Sequence, residues 1–94
     1  MTTLHIEHPI TDFAAWKAAF DRFEDQRRNR GVRTHRIQQP INDPRYVVID
    51  LDFATTAEAE EFLEFLRTVV WTSPEKSPAL DGTPSTLILQ PPGP

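Results

Sequence analysis

The chain has no cysteine. That absence excludes disulfides, thiol nucleophiles and thiolate metal sites. Glycine is almost as scarce, with three residues, at 31, 82 and 93. The sequence therefore has neither a phosphate-cradling glycine loop nor a nucleophile elbow. Positive charge is also in deficit: 10 Lys and Arg against 14 Asp and Glu leave a net charge of −4. That balance argues against nucleic acid as a partner. No apolar run approaches the roughly 18 residues of a membrane span, and the first residues lack the basic and apolar regions of a signal peptide. No membrane partner is expected, and the expected compartment is the cytoplasm. The three histidines are scattered: His5 and His8 point to opposite faces of one strand, and His35 lies on another. No metal site is expected from them.

What is present is the composition of a globular domain. Of 94 residues, 38% are hydrophobic and 26% charged, and one domain over residues 1–90 with a proline-rich tail at 91–94 accounts for the length. A chain this short buries only about 60–65% of its unfolded surface, which favours an oligomer.

Residues 3–9 alternate, with Leu4 and Ile6 on one side and His5 and Glu7 on the other. That is a half-buried strand ended by Pro9. Thr11 or Asp12 offers a cap to a helix of about 18 residues carrying the stripe Phe13, Trp16, Phe20 and Phe23. Gly31 is placed to end it. Residues 32–39 read as a polar edge strand, and Pro40–Pro44 as a turn. Residues 45–53 form the strongest strand, with Val47, Ile49, Leu51 and Phe53 on one face and Tyr46, Val48, Asp50 and Asp52 on the other. Thr55 or Thr56 opens a second helix with a buried stripe of Ala59, Phe62, Leu66 and Val69, widened by Leu63, Phe65 and Val70 and closed by Trp71. A loop over 72–84 leads to a last strand at 85–90.

The order β-α-β-β-α-β is the split βαβ plan. It predicts an α+β, ferredoxin-like fold: a four-stranded antiparallel sheet with helices on one face. Alternation places His5, Glu7, Tyr46, Val48 and Asp50 together on the other face. Two carboxylates, an imidazole and a phenol offer proton chemistry, so His5 and Asp50 are candidate catalytic groups. Glu7, Tyr46, Val48, Trp71 and Leu80 are candidate ligand contacts. The plainer alternative is a face of paired charges, wet or covered by a partner. Tyr46, Val48 and Ile88 would be left exposed there, which predicts a homodimer. Leu80, apolar within a polar loop, is expected to fold back near Trp71 over one mouth of any cavity.

Six arginines fall between Arg22 and Arg36, and six acids between Asp50 and Glu64. Such blocks are commonly solvated faces, can meet each other, or can hold an anionic substrate. His8 is expected to hydrogen-bond local backbone, and Trp16 to be core.

The stretches EHPITDFAAWKAAFD (7–21), RRNRGVRTHRI (27–37), DPRYVVIDLDF (43–53) and TAEAEEFL (56–63) resemble the dimeric α/β-barrel superfamily. It includes antibiotic-biosynthesis monooxygenases, heme-degrading monooxygenases and muconolactone isomerases, and the likeness is strongest to its small cyclase-like bacterial members. The resemblance implies a two-fold dimer closed through the open sheet faces, and a ligand cavity between sheet and helices. It also implies a cofactor-independent monooxygenase-like or cyclase-like activity on a small aromatic or polyketide-type molecule. A heme-degrading role would need a histidine near the second helix, and none follows His35; no cofactor is expected. The alternative is a non-catalytic dimeric ligand-binding or structural module. An enclosed pocket of about 300 Å3 or more would favour the enzyme, and solid packing on both faces the module.

Overall fold

Alternation decides the sheet. In β1, Thr2–Pro9, the residues Thr2, Leu4, Ile6 and His8 are buried, while Thr3, His5 and Glu7 are half-covered. In β3, Tyr46–Phe53, Val47, Ile49, Leu51 and Phe53 are buried against the same side. These two strands pair antiparallel in the register Leu4↔Leu51 and Ile6↔Ile49. They form the centre of a four-stranded sheet of order β2-β3-β1-β4, with β2 (Thr34–Gln38) and β4 (Ser85–Leu89) at its edges. The structure is a computed structural model and describes residues 1–92. The architecture is the ferredoxin-like α+β fold that the sequence predicts. Of the expected tail, Pro91 and Pro92 follow β4 outside the sheet, and 93–94 lie outside the described residues.

The helices cover one face. Helix α1, Phe13–Arg22, starts where Asp12 accepts from the Ala15 N–H at 2.8 Å. Helix α3, Thr56–Phe65, starts where Thr55 accepts from the Glu58 N–H at 3.2 Å. In each case one of two expected caps is the one used. Trp16, Ala59, Phe62 and Leu63 join Leu4, Ile6, Ile49, Leu51 and Phe53 in a single apolar core.

Three expectations are corrected. The first helix is not continuous: it breaks at Phe23 (φ −97°, ψ 12°), and α2 follows over Glu24–Asn29. The Phe20 carbonyl at the break accepts from the Phe23 N–H and from the Arg27 guanidinium. The second helix does not run regularly to Trp71. Its last turn, Leu66–Val70, is π-helical, and Trp71 N–H reaches the Leu66 carbonyl at 2.8 Å. A π turn adds one residue to the repeat, so Val70 rather than Val69 is buried. In β4, Ile88 pairs with Leu4 and lies on the helix side; Leu87 and Leu89, opposite His5 and Thr3, share the open face.

Gly31 ends α2 as expected. The N–H groups of Gly31 and Val32 bond the carbonyls of Arg28 and Arg27, and Gly31 has φ +102°, the conformation glycine adopts most cheaply. The 72–84 loop is tied down. Thr11 N–H bonds Ala79 O at 3.0 Å, Asp81 N–H bonds Pro9 O at 3.2 Å, and Ile10 and Leu80 form a bridge between them. The loop thus lies against the connection between β1 and α1.

Candidate functional site

The sheet has two sides, and polar groups gather on both. On the open side, cross-strand neighbours His5 and Asp50 bring Nδ1 within 2.8 Å of Oδ1. The same ring's Nε2 lies 2.8 Å from Glu7 Oε2. Tyr46 donates its hydroxyl to Glu7 Oε1 at 2.7 Å, and Arg36 Nη2 stands 3.5 Å from Asp50 Oδ2. Beside this chain, Thr3 and Thr34 both donate to Asp52 at 2.7 Å.

Carboxylates accept, so the imidazolium of His5 can donate from both nitrogens at once. The hydrogen bonds to Glu7 and Asp50 hold the His5 pKa above its ordinary value, against a smaller lowering by burial. Glu7 is held below the usual carboxylate range by His5 and Tyr46, and the Tyr46 phenol is pushed up by its bond to Glu7. The geometry favours the charged ring of His5, clasped between two acids with both nitrogens engaged.

On the helix side a cleft opens between sheet and helices. Aromatic walls come from Trp16, Phe20, Phe23, Phe62, Phe65 and Trp71. Trp16 and Phe20 stack with ring centres 5.1 Å apart. Lys76, Ser77, Pro78 and Ala79 of the loop form one rim. The cleft holds about 90 Å3, short of the roughly 300 Å3 of a full-sized ligand pocket. It is nevertheless room for several waters at roughly 10–15 Å3 each.

Two of the polar side chains that line this space, His8 and Arg27, are buried. His8 is buried, and its Nδ1 lies 2.9 Å from the Pro9 carbonyl. A carbonyl only accepts, so Nδ1 carries the proton and the Nε2 lone pair is left over. Burial pulls the His8 pKa below its ordinary value, partly offset by the Pro9 bond, so His8 is neutral at pH 7. Arg27 is buried in the cleft wall, with its guanidinium carbon 3.6 Å from the centre of the Phe20 ring.

The residues expected to form a site therefore divide. His5, Glu7, Tyr46, Val48 and Asp50 are together on the open face. Trp71 lies on the other side, in the cleft. Leu80 is bridged to Ile10, and the cleft contact from that stretch is its neighbour Ala79. His8 and Arg27 are the polar cleft residues that sequence reasoning missed. His35 is exposed on the helix side, with its ring edge-on to Phe20 at 5.3 Å. Among the described residues no cluster of three or more histidine and acidic side chains has a metal-binding arrangement.

No family model and no curated protein matches this chain. Solved structures do. A protein provisionally named an antibiotic biosynthesis monooxygenase, from Nitrosomonas europaea, superposes with TM-score 0.70 at 17% identity over 97% of this chain and 98% of its own. One of the same provisional name from Bordetella bronchiseptica gives 0.71 at 14% identity over 96% of each chain. A dimeric ferredoxin-like protein from an uncultured marine organism gives 0.59 at 14% identity over 94% of each chain. Likeness at such low identity establishes the fold.

Proposed function

We propose that this protein is a small-molecule enzyme of the monooxygenase-like or cyclase-like kind, working without a cofactor on a small aromatic molecule held in the helix-side cleft. The observation that carries this reading is the buried, neutral His8, which lines a space walled by aromatic rings and whose Nε2 has no hydrogen-bond partner among the described residues. A free imidazole lone pair, shielded from bulk water, can take a proton from a phenol or an acidic C–H. The anion so formed is the species from which attack on dioxygen, cyclisation or isomerisation begins. Proton removal is assigned here to His8 and not to His5 or Asp50, because both nitrogens of His5 are already engaged by acids. The names of the structural neighbours agree with this class of chemistry.

We infer also that the chain works as a homodimer joined through the open sheet face. Leu87 and Leu89 are 59% and 45% exposed beside the His5 network. Burial of such surface is favourable by about 25 cal/mol per Å2, and the marine neighbour is itself described as dimeric.

Thermal shift and tryptophan fluorescence with 2-naphthol test the cleft. A ligand at 100 times its Kd adds about 2.7 kcal/mol of stability. Binding is expected to weaken about tenfold in Trp71→Ala and to survive in His5→Gln. The reverse pattern would move the site to the open face. The small volume of the cleft favours a second reading, a non-catalytic module, and absence of any shift across a series of one- and two-ring phenols would establish it.

A further inference from the structure

Arg27 is the one arginine of the chain whose side chain is buried, at 6% exposure; the others are all exposed. Among the described residues no carboxylate lies within ion-pair distance of it. Its single recorded hydrogen bond runs from Nη1 to the Phe20 carbonyl. A guanidinium carries five N–H groups, so most remain without a protein acceptor. No fully buried side-chain nitrogen among the described residues lacks a partner. The spare N–H groups therefore touch accessible space, and the space that Arg27 lines is the cleft.

A cation taken out of water without a counter-charge is costly, and arginine cannot escape by losing its proton. Burial lowers its pKa, and Glu24 and Asp21 oppose that only from beyond ion-pair distance.

We propose that the ligand supplies the missing charge: the cleft takes a flat aromatic molecule bearing one anionic oxygen group, a carboxylate or an ionised phenol, which accepts hydrogen bonds from Arg27 while its rings lie among Trp16, Phe20 and Trp71. This rests on the cleft being the binding site, and it names what that site selects. Arg27 then recognises the charge, and His8 is left free to remove a proton elsewhere on the ring system. Lys76 at the rim is the rival cation, but it is exposed and so keeps its own water.

The test uses two probes of one shape, 2-naphthoate and the neutral 2-naphthamide, with the full chain. The wild type is expected to bind the naphthoate about tenfold or more tightly than the amide, the ratio of one charge-assisted hydrogen bond. In Arg27→Gln the two affinities are expected to become equal, with that for the amide unchanged. Lys76→Gln is expected to keep the wild-type ratio. Equal binding of both probes by the wild type would overturn the proposal and leave the cleft reading standing. So would a ratio that survives Arg27→Gln or collapses in Lys76→Gln. Binding of neither probe would overturn the cleft reading and the proposal with it. Should Arg27→Gln fail to fold, the wild type suffices: the Arg27 side-chain Nε–H resonance is expected to move with 2-naphthoate and not with 2-naphthamide, and a resonance that stays still overturns the proposal.

Discussion

On the open side of the sheet, each of Arg36, Asp50, His5, Glu7 and Tyr46 meets the next in a continuous chain of charge and hydrogen bonds. On the helix side, His8 and Arg27 each reach one backbone carbonyl and then face a cavity. The more conspicuous cluster is the more completely satisfied one. A network whose donors and acceptors are used up holds strands together and stores a proton. A buried group with capacity to spare is where a ligand gains from binding, because the cost of desolvating that group is already in the fold.

The largest effect comes from removing core on the helix side next to a charge on the open side. Leu51 is 2% exposed and follows Asp50 in β3. Leu51→Ala is expected to lower unfolding stability by about 2–5 kcal/mol, the cost of lost burial plus a cavity. Asp50→Asn keeps shape and one acceptor, and is expected to cost about 1 kcal/mol or less, as part-exposed ion pairs do. Urea titration of both variants measures the difference. Comparable losses would mean that the open-face network carries core-like weight.

Much of this division was legible beforehand. The alternation of Leu4 and Ile6, and of Val47 through Phe53, assigns the two faces residue by residue, and it correctly gathers His5, Glu7, Tyr46 and Asp50. The missed residues carried signals of the same kind. His8 shares the parity of Leu4 and Ile6, which sends it to the helix side. Arg27 continues the spacing of Phe13, Trp16, Phe20 and Phe23 by another four, which places a charge where the stripe wants a hydrophobe. Its membership in a run of arginines hid that register. The break at Phe23 and the π turn after Phe65 had no such signal. Both arise where side chains and backbone settle against the assembled core, and local propensity does not encode that. The π turn shifts the register by one residue, which moves the burial from Val69, in the expected stripe, to Val70 at its expected margin.

A smaller effect concerns the partner of the open face. Leu87→Glu with Leu89→Glu sets two carboxylates on the face that already carries Glu7, Asp50 and Asp52. A two-fold dimer through this face would bring like charges together, a cost of several kcal/mol in association. Light scattering at tens of micromolar is expected to show a dimer for the wild type and a monomer for the double variant, with little change in the circular dichroism of either. A wild-type monomer, or a dimer that survives the double change, would assign the open face to water.

The smallest effect separates the two histidines by sign. His5 has a raised pKa in the fold, from Glu7 and Asp50. Its contribution is therefore complete below about pH 6.5, the unfolded value, and is lost as pH rises through the folded pKa. Glu7, Asp50, Arg36 and Tyr46 face it, and of these it is the acids that favour its charge. His8 has a lowered pKa from burial. Its contribution is present above about pH 6.5 and is lost as pH falls through the folded value. In the wild type the two slopes have opposite signs on either side of about pH 6.5, His8 acting below it and His5 above it, and His35, also lowered, adds to the His8 side. His5→Gln is expected to cost about 1 kcal/mol at pH 6 and less at pH 8. His8→Gln, which keeps an N–H for the Pro9 carbonyl, is expected to leave a protein that loses less stability than the wild type on going from pH 7 to pH 5. Unfolding by urea at pH 5, 6, 7 and 8 reads both slopes. If His5→Gln and His8→Gln bent the profile in the same direction, the two faces would hold their imidazoles alike, and the contrast between a satisfied network and an unsatisfied cleft would fail.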